Sequence, residues 1–422
     1  MQKGLLTRKI IHEILFSLKF KNSNFDDLLN LNIIKHNLSI SDRKMVQNVI
    51  LSSMRYNFYI KKIIKNYTNK KISSNQEILL LSATTQIVYL NFKEYAVVNC
   101  SVELAKDKNI NSHPGFINAI LKNIIKDKKK LSLIEINFND LPKWFVGQNN
   151  DKNEYEKKLF LSTIIEKPHL HIVFKEGKLI KKFNEDYVET SSTSVFMKNF
   201  SKIENLSRYQ NGEWWIQDFI SMLPIKLITD LEKKEVIDLC AAPGGKSFQI
   251  LSNKNNLKMI EINNKRAEVL KKNLFRLGYT NNIEIMDANT INTQLKYDVV
   301  LVDAPCSSVG TIRRNPEILF RFEKPNLSKI QKIQQDLLNV AKKILKKNGL
   351  IIYMACSFLN LETVNQIKKF LDNNNNFSVN KFTSTNDTNE LIDNNGFINT
   401  MPKNFRNINI DGFFAAQLRK ND

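Results

Sequence analysis

The sequence predicts a multidomain protein in which an all-α bundle comes first and a doubly wound α/β domain comes last, with a small α/β subdomain between them. The chain has 422 residues, enough for about three domains at roughly 150 residues each. Apolar residues recur at helical spacing in the first part, and short apolar runs alternate with helical segments in the last part. With 42% hydrophobic and 25% charged residues, the composition excludes wholesale disorder, collagen and disulfide scaffolds.

Residues 1–128 are predicted to form the helical bundle. Apolar residues at 10–18 and again at 45–54 fall on one helix face, the second set after a Ser41 cap. Residues 74–77 form a capping-box sequence before an apolar run, and Pro114 occupies the first turn of a further helix. No strand is expected in this region.

The middle of the chain is predicted to hold a linker and a small subdomain. Residues 129–140 follow a lysine run and are interpreted as the linker. Residues 141–215 are interpreted as an α/β, RRM-like subdomain, with a helix at 154–164 and strands at 169–174 and 187–195.

Residues 216–422 are predicted to form a mostly parallel sheet with helices on both faces. The expected strands are residues 236–239, 257–262, 282–286, 298–303 and 350–355, and the expected helices are residues 265–277 and 328–346. In such sheets ligands bind beyond the carboxyl ends of the strands.

The charge of the chain leaves two interpretations open. A net charge of +21 and a pI near 9.6 suggest a polyanionic partner such as nucleic acid. However, only 11 of the 63 basic residues are Arg, and an AT-rich coding sequence produces the same lysine excess. No apolar run reaches the ~20 residues that a bilayer requires, and residues 1–20 do not resemble a secretory signal, so we expect a cytoplasmic protein without a membrane partner.

A glycine turn and spaced acidic residues predict a cofactor site in the α/β domain. The turn consists of Cys240, Ala241, Ala242, Pro243, Gly244, Gly245 and Lys246. Small residues allow close approach of a ligand, and the helix N-terminus that follows offers free N–H groups. Asp238, Glu261, Asp287 and Asp303 each stand at or after the end of a predicted strand. Together they indicate an adenosine-bearing cofactor, although glycines that punctuate turns and acids that cap helices are the structural alternative.

Two cysteines also leave predicted strand ends. Cys306 follows Asp303, and Cys356 follows Ala355. Either cysteine alone is more often a packed small residue, but two at one sheet edge beside a nucleotide-type site indicate chemistry. Methylation of a pyrimidine at carbon 5 needs one thiolate that adds to C6 and a second polar group that assists release, and an acid facing N3 favours the addition. The residues alone leave open which cysteine attacks. The spacing of the cysteines and histidines does not predict a metal site.

These motifs resemble the RNA cytosine-C5 methyltransferases of the RsmB/NOP family. The resemblance rests on residues 238–246, 303–307 and 355–357, with support from residues 312–317 and 411–414. It implies a Rossmann-like class I methyltransferase domain that uses S-adenosyl-L-methionine.

The helical bundle is similar to the NusB-type RNA-binding domain that family members acting on ribosomal RNA carry in front. The resemblance therefore covers nearly the whole chain and is weakest over residues 141–215. It implies methylation of a cytosine in 16S ribosomal RNA, with small-subunit ribosomal RNA as the partner, and we expect a monomer without a metal.

The resemblance also assigns roles. Cys356 corresponds to the family's nucleophile, and Cys306 to the cysteine linked to product release. The implied catalytic set is Cys356, Cys306, Asp303 and Lys246. The implied cofactor contacts are Cys240, Ala241, Ala242, Pro243, Gly244, Gly245, Lys246, Glu261, Asp287 and Asp303.

The chain departs from the family pattern at several positions. Ala355 replaces a usual Thr, Glu261 replaces an Asp, Val173 replaces a frequent Arg, and residues 360–363 replace a Pro-Glu-Glu-Asn run. We expect these changes to affect positioning and turnover rather than the reaction. A tRNA cytosine-C5 methyltransferase remains an alternative, as does an RNA-binding assembly factor with a vestigial cofactor site, although the loop and both cysteines are intact.

Other side chains have two interpretations each. Arg313 and Arg314 are predicted to clamp RNA phosphates, with surface solvation as the alternative. Trp214 and Trp215 are expected to pack in a core rather than to stack on a base. His169 and His171 are expected to be strand residues without a catalytic role.

Overall fold

The computed structural model describes residues 3–200, 202–229, 231–383 and 388–421. The helices of the described residues are α1 (Lys3–Phe20), α2 (Phe25–Lys35), α3 (Ile40–Arg55), α4 (Asn57–Lys65), α5 (Ser74–Thr84), α6 (Glu94–Ala105), α7 (Pro114–Lys126), α8 (Lys128–Leu131), α9 (Lys143–Gln148), α10 (Glu154–Thr163), α11 (Phe219–Lys226), α12 (Gly245–Ser252), α13 (Asn264–Arg276), α14 (Glu317–Phe320), α15 (Leu327–Ile344) and α16 (Val364–Asp372).

The strands are β1 (Leu170–Phe174), β2 (Val188–Ser191), β3 (Ser194–Met197), β4 (Trp214–Ile216), β5 (Glu235–Asp238), β6 (Asn256–Glu261), β7 (Ile283–Ile285), β8 (Tyr297–Asp303), β9 (Leu345–Ala355), β10 (Phe377–Val379), β11 (Ile398–Thr400), β12 (Lys403–Phe405), β13 (Ile408–Ile410) and β14 (Phe413–Lys420). Every strand in the described part of the chain therefore follows residue 169, as the sequence predicts.

The chain forms two compact units. The helical unit comprises Met1–Glu166 and Asn315–Lys324, and the α/β unit comprises Lys167–Arg314 and Pro325–Asp422. These bounds differ from the predicted domains, because apolar side chains inside the predicted linker are buried: Leu131, Ile136 and Phe138. Buried side chains of this kind belong to a packed core, so residues 129–140 are not a solvated linker.

The helical unit confirms the apolar periodicity but corrects two caps. The predicted face of α1 is buried, with Ile10, Ile11, Ile14, Leu15 and Leu18 at most 1% exposed. The cap of α3 is Ser39, not Ser41, because the extended Ser39 accepts the Asp42 N–H at 3.2 Å. The capping box of α5 likewise starts one residue earlier than predicted, between Ser73 and Gln76.

The α/β unit contains the predicted sheet. Its strand order is β10-β14-β9-β8-β5-β6-β7, and β11 pairs with β14. The ladders from β9 through β8, β5 and β6 to β7 are parallel, whereas β14 runs antiparallel to β9. From β5 the chain continues to β6 and β7 on one side and later returns to β8 and β9 on the other. The edge beyond β5 and β8 is therefore the switch point at which ligands bind in such sheets.

A second sheet precedes the large one. It has the antiparallel order β2-β3-β1-β4. The single strand predicted at 187–195 is a hairpin of β2 and β3, because the chain turns between Ser191 and Ser194. Val173 in β1 is buried and pairs with Trp215, so an apolar side chain suits this position.

None of the helices in the described part of the chain combines the length and the apolar character needed to cross a bilayer.

Candidate active site

The loop after β5 is held by the carboxylate that precedes it. Asp238 accepts the Cys240 N–H at 3.2 Å and the Ser247 hydroxyl at 2.7 Å, so it joins the start of the loop to the helix after it. The side chain is only 1% exposed. Burial raises the pKa of Asp238 to about 6, against the opposing effect of the Ser247 hydrogen bond.

Gly244 makes the loop turn into α12. Its φ of +116° lies where residues with side chains are strained. A Cβ at this position would also collide with the Phe248 ring and with Leu270. Glycine is therefore required here, and the first N–H groups of α12 follow directly.

A cavity of about 350 Å³ opens at this loop. Residues 241–246 form one wall of the cavity. Residues from six other parts of the α/β unit complete it: Gln217, Asp218, Arg266, Asp303, Arg314, Cys356, Asp411 and Phe413. The structure thus brings the predicted loop, Asp303 and the predicted nucleophile to one cavity.

The donor and acceptor set of this cavity fits S-adenosyl-L-methionine. The cofactor has a carboxylate, two cationic centres and an adenosine. The free N–H groups at the start of α12 suit a carboxylate. The four acidic residues of the wall, Asp218, Asp238, Asp303 and Asp411, outnumber its three basic residues, Lys246, Arg266 and Arg314, which suits a ligand with two cationic centres. Small residues at 241–245 leave room for close approach of a flat ligand.

Lys246 and Asp303 form an ion pair beside Cys356. The Lys246 Nζ lies 2.6 Å from the Asp303 Oδ2, and the two side chains are 11% and 24% exposed. Burial alone would lower the pKa of Lys246, but Asp303 and Cys356 outweigh it and raise that pKa. Lys246 is therefore a fixed cation on the cavity wall, 5.3 Å from the centre of the Phe413 ring.

Cys356 lies on the cavity wall. Its thiol is partly buried, and burial raises its pKa well above the usual value while Lys246 acts in the opposite direction. Its backbone is fixed by close chain crossings: the Gly310 N–H donates to the Cys356 carbonyl at 3.0 Å, and the Gly412 N–H donates to the Gly310 carbonyl at 2.8 Å. A Cβ at Gly310 would collide with the Gly412 carbonyl, so glycine is required there.

Cys306 lies near the cavity but not on its wall. It packs against the buried cluster that contains Tyr353, whereas Cys356 packs against the cluster that contains Met354. Neighbouring residues of a strand point to opposite faces, so the two thiols border opposite faces of the sheet at its edge. Burial, and next the Glu362 carboxylate, raise the pKa of Cys306 to about 12.

Glu362 was not predicted as a site residue, yet it joins the two cysteine loops. One of its oxygens accepts the Ser307 N–H at 2.6 Å. The other accepts the hydroxyls of Ser307 and Ser357, each at 2.6 Å. The side chain is 0% exposed. Its sequence signal was that residues 360–363, Asn-Leu-Glu-Thr, keep the second Glu of the family's Pro-Glu-Glu-Asn run while the other three positions differ.

The predicted RNA contact of Arg313 is wrong, because its side chain is 0% exposed. Its Nη1 donates to the Ile410 carbonyl at 2.7 Å. A guanidinium buried against backbone carbonyls of the α/β unit cannot reach a phosphate in solvent.

Arg314 has a different environment from the predicted one. It lies on the cavity wall, where it binds Asp218 at 2.5 Å and Asp411 at 2.7 Å. Burial would lower the pKa of Arg314, but these two carboxylates outweigh burial and raise it. Its charge is thus neutralised inside the α/β unit, which the sequence pattern did not show. Asp218 was missed because an acid before an apolar run indicates a helix cap, and it does cap α11.

The other predicted acids and Cys240 do not lie on the cavity wall. Glu261 is buried and accepts the N–H groups of Ala242 and Asn263 at 3.3 and 2.9 Å. Asp287 is exposed and accepts the Asn289 N–H at 2.9 Å. Cys240 packs against a buried cluster on one sheet face. Their contacts with the cofactor stay predictions.

The tryptophans pack as expected and His171 is a strand residue, but His169 lies just before β1 and not in it. Trp214 and Trp215 are at most 3% exposed, and their ring N–H groups donate to Ser207 and Gln217, each at 2.8 Å. This confirms core packing rather than base stacking. His171 is buried in β1 and contacts the Asn409 carbonyl at 3.0 Å.

Comparisons with known proteins match both the helical part and the α/β part of the chain. Residues 226–419 match the family model described as 16S rRNA methyltransferase RsmB/F, and residues 6–126 match the NusB family. A probable ribosomal RNA small subunit methyltransferase B of Bacillus subtilis is 26% identical over 459 residues, which cover 99% of this chain and 99% of the relative.

Two solved structures have the same fold. The crystal structure of PH0851 covers 100% of this chain and 99% of its own, with a TM-score of 0.74 and 19% identity. NSun6 from Pyrococcus horikoshii with SFG covers 67% of this chain and 98% of its own, with a TM-score of 0.56 and 17% identity. The predicted succession of a NusB-like bundle and a class I methyltransferase sheet is confirmed.

Proposed function

The chain belongs to the RsmB/F methyltransferase family and carries a NusB family domain, and on that premise we propose that it methylates carbon 5 of a cytosine in small-subunit ribosomal RNA. S-adenosyl-L-methionine, the cofactor of this family, supplies a methyl group from its sulfonium when it is bound. The observation that carries the proposal is the cavity at the sheet edge, whose wall contains the Cys356 thiol, Asp303 and the small-residue loop 241–246.

The proposed reaction begins with the Cys356 sulfur. The thiolate forms an S–C6 bond, and the C5=C6 electron pair moves to C5, which then takes the methyl group. Loss of the C5 proton to a base returns the electron pair to C5=C6, breaks the S–C6 bond and expels the thiolate. The S–C6 bond between the enzyme and the base is thus broken again, and the methyl group stays on C5.

Lys246 and Asp303 support the addition step. Lys246 is the cation that favours the thiolate of Cys356. Asp303 is held by Lys246 at 2.6 Å, so its carboxyl group has a fixed direction on the cavity wall. To offset the negative charge that develops in the ring during addition, the Asp303 carboxyl group must carry a proton that it donates to N3, and this proton returns to Asp303 when the S–C6 bond breaks.

Cys306 is proposed to take the C5 proton in the release step. Because its pKa is raised to about 12, it is a neutral thiol at neutral pH. It must therefore first lose its own proton to solvent water. The resemblance, and not this geometry alone, assigns release to Cys306 and attack to Cys356.

Ribosomal RNA is favoured as the substrate by two observations. The relative in Bacillus subtilis, similar over 99% of this chain, is described as a probable ribosomal RNA small subunit methyltransferase. A net charge of +21 suits a polyphosphate partner. A tRNA substrate and a non-catalytic assembly role are the rival outcomes.

The test uses the purified chain with S-adenosyl-L-methionine labelled in its methyl group. Small-subunit ribosomal RNA and tRNA are offered separately, and bisulfite sequencing locates 5-methylcytosine. We expect label in the ribosomal RNA at a single cytosine. Label in tRNA only, or a methyl group on another atom of the base, contradicts the proposed substrate or the proposed carbon. Absence of label in both RNAs supports the assembly factor.

A further inference from the structure

A single buried carboxylate connects the two loops that carry the thiols. Glu362 accepts a hydrogen bond from the Ser307 N–H, next to Cys306, and another from the hydroxyl of Ser357, next to Cys356, each at 2.6 Å. The Ser307 hydroxyl adds a third at 2.6 Å. Each cysteine is therefore one residue away from a serine that Glu362 holds.

Glu362 is itself held in place from several directions. Its own carbonyl accepts the Tyr353 hydroxyl at 2.7 Å, and Tyr353 is 0% exposed in β9. Its N–H donates to the Leu359 carbonyl at 2.9 Å. Leu359 in turn donates its N–H to the Ser357 hydroxyl at 3.2 Å. The turn that carries the carboxylate is thus bound to the end of the same strand that delivers Cys356.

Close to Cys306 itself, the loop has few other bonds that hold the thiol in place. Its Pro305 is exposed, and the Pro305 carbonyl accepts the Gln334 side chain at 2.9 Å. The Cys306 sulfur lies 3.8 Å from the Ser308 hydroxyl, a weak contact. Backbone bonds join the two ends of this loop to the β9 side, from the Ala304 N–H to the Met354 carbonyl at 2.9 Å and from the Gly310 N–H to the Cys356 carbonyl at 3.0 Å. The bonds from Ser307 to Glu362 add a connection between them, directly beside Cys306.

Because of these contacts we propose that Glu362 is a positioning residue. It holds the Cys306 loop against the Cys356 loop so that attack and release occur at one bound cytosine. This inference rests on the proposed function. Two thiols on opposite faces of a sheet reach the same base only if the distance and orientation between their loops are fixed. A displacement of about 1 Å of one loop relative to the other costs roughly 10²-fold in rate. The bonds of Glu362 suit this role because a buried carboxylate that loses its donors is strongly destabilised.

Two substitutions separate the position of the carboxylate from its charge. Glu362→Asp keeps the charge but withdraws the oxygens by one methylene, which loosens the bonds to Ser307 and Ser357. Glu362→Gln keeps the length but removes the charge that faces Cys306. Glu232→Gln, at an exposed position of the same unit, is the matched control.

The first readout is the lifetime of the covalent protein–RNA adduct in a single turnover. Glu362→Asp is expected to prolong it about tenfold, as is typical when the partner of a functional group is displaced, while S-adenosyl-L-methionine affinity by calorimetry is unchanged. Glu232→Gln is expected to match the wild type. An adduct lifetime in Glu362→Asp equal to that of the wild type overturns the proposal.

The second readout does not depend on methylation. Alkylation of Cys306 by iodoacetamide is followed against pH, with each cysteine quantified by mass spectrometry. Because the Glu362 carboxylate raises the pKa of Cys306, Glu362→Gln is expected to move the Cys306 midpoint about one pH unit lower and to leave Cys356 nearly unchanged. A purely structural role would shift the alkylation midpoints of both cysteines alike and would reduce cofactor affinity. Either that result or an unchanged Cys306 midpoint overturns the proposal. If the wild type forms no adduct with RNA, the proposed function fails, while this midpoint still decides the placement of Glu362.

Discussion

The two cysteine loops at the sheet edge have opposite electrostatic surroundings. Cys356, after β9, lies beside Lys246, a cation that favours its thiolate. Cys306, after β8, lies beside Glu362, a carboxylate that favours its neutral thiol. Burial raises the pKa of both thiols, and Asp303 raises both as well. The largest charged influence differs: for Cys356 it is the cation Lys246, and for Cys306 it is the carboxylate of Glu362. This difference agrees with the proposed assignment of attack to Cys356.

The largest expected effect separates the two thiols directly. Cys356→Ala is expected to lower methyl transfer by more than about 10⁴-fold, because a covalent nucleophile has no substitute. Cys306→Ala is expected to leave attack intact and to trap a protein–RNA adduct that migrates slowly in a denaturing gel.

Both variants should keep their cofactor affinity by calorimetry, since neither change removes the loop at 241–246. Normal turnover by Cys356→Ala would show that the two roles are assigned the wrong way round or that the reaction is not covalent.

The next effect tests the cation beside Cys356. Lys246→Met is expected to lower the single-turnover methylation rate by roughly 10²-fold, because it removes the charge that favours the thiolate and leaves Asp303 without its partner. Lys272→Met, at an exposed position of α13, is the control. Equal rates for the two variants would mean that Lys246 does not distinguish the thiols.

The pH dependence provides a smaller effect. Because the pKa of Cys356 is raised, only a small fraction is thiolate at neutral pH, and this fraction grows as pH rises. The single-turnover methylation rate at saturating RNA is expected to increase about tenfold per pH unit below that pKa. A rate that is flat or falls with pH in this range would contradict attack by a buried thiol.

The smallest effect concerns Asp238, an acid at the same edge that serves the loop rather than a thiol. Its pKa of about 6 is raised above that of an unfolded Asp, so its contribution to stability is present at low pH and is lost as pH rises through about 6. Asp238→Asn can still accept the Cys240 N–H and should remove this component. We expect the difference in unfolding free energy between wild type and variant to shift by about 2 kcal/mol between pH 4 and pH 7 in urea titrations. A difference independent of pH would place the titration elsewhere.

The fold was predictable because its apolar patterns are local. The buried face of α1 and the strands β5, β6 and β8 follow from spacing alone. The caps at Ser39 and Ser73 were misplaced by one or two residues, since neighbouring serines offer the same chemistry and only backbone geometry selects one. The predicted linker is wrong because its apolar residues are buried: Leu131 joins the core of the helical unit, and Phe138 packs against Phe145 and Phe160.

The site was only partly predictable, because only some of its residues belong to local sequence motifs. Loop 241–246, Asp303 and Cys356 carry recognisable motifs, and the structure brings them to one cavity. Arg313 gave a misleading signal, because a basic pair after a motif shows charge but not burial. Glu362 gave almost none, because its partners Ser307 and Ser357 come from separate strands. Contacts of this kind depend on tertiary structure rather than on spacing.

The most direct test of the central claim is to identify the residue that bonds to RNA. Cys306→Ala protein is incubated with small-subunit ribosomal RNA and S-adenosyl-L-methionine, the adduct is digested with protease and nuclease, and the linked peptide is sequenced by mass spectrometry. The account predicts a cytosine-derived mass on Cys356. A linkage at any other residue, or methylated RNA without any linkage, would contradict it.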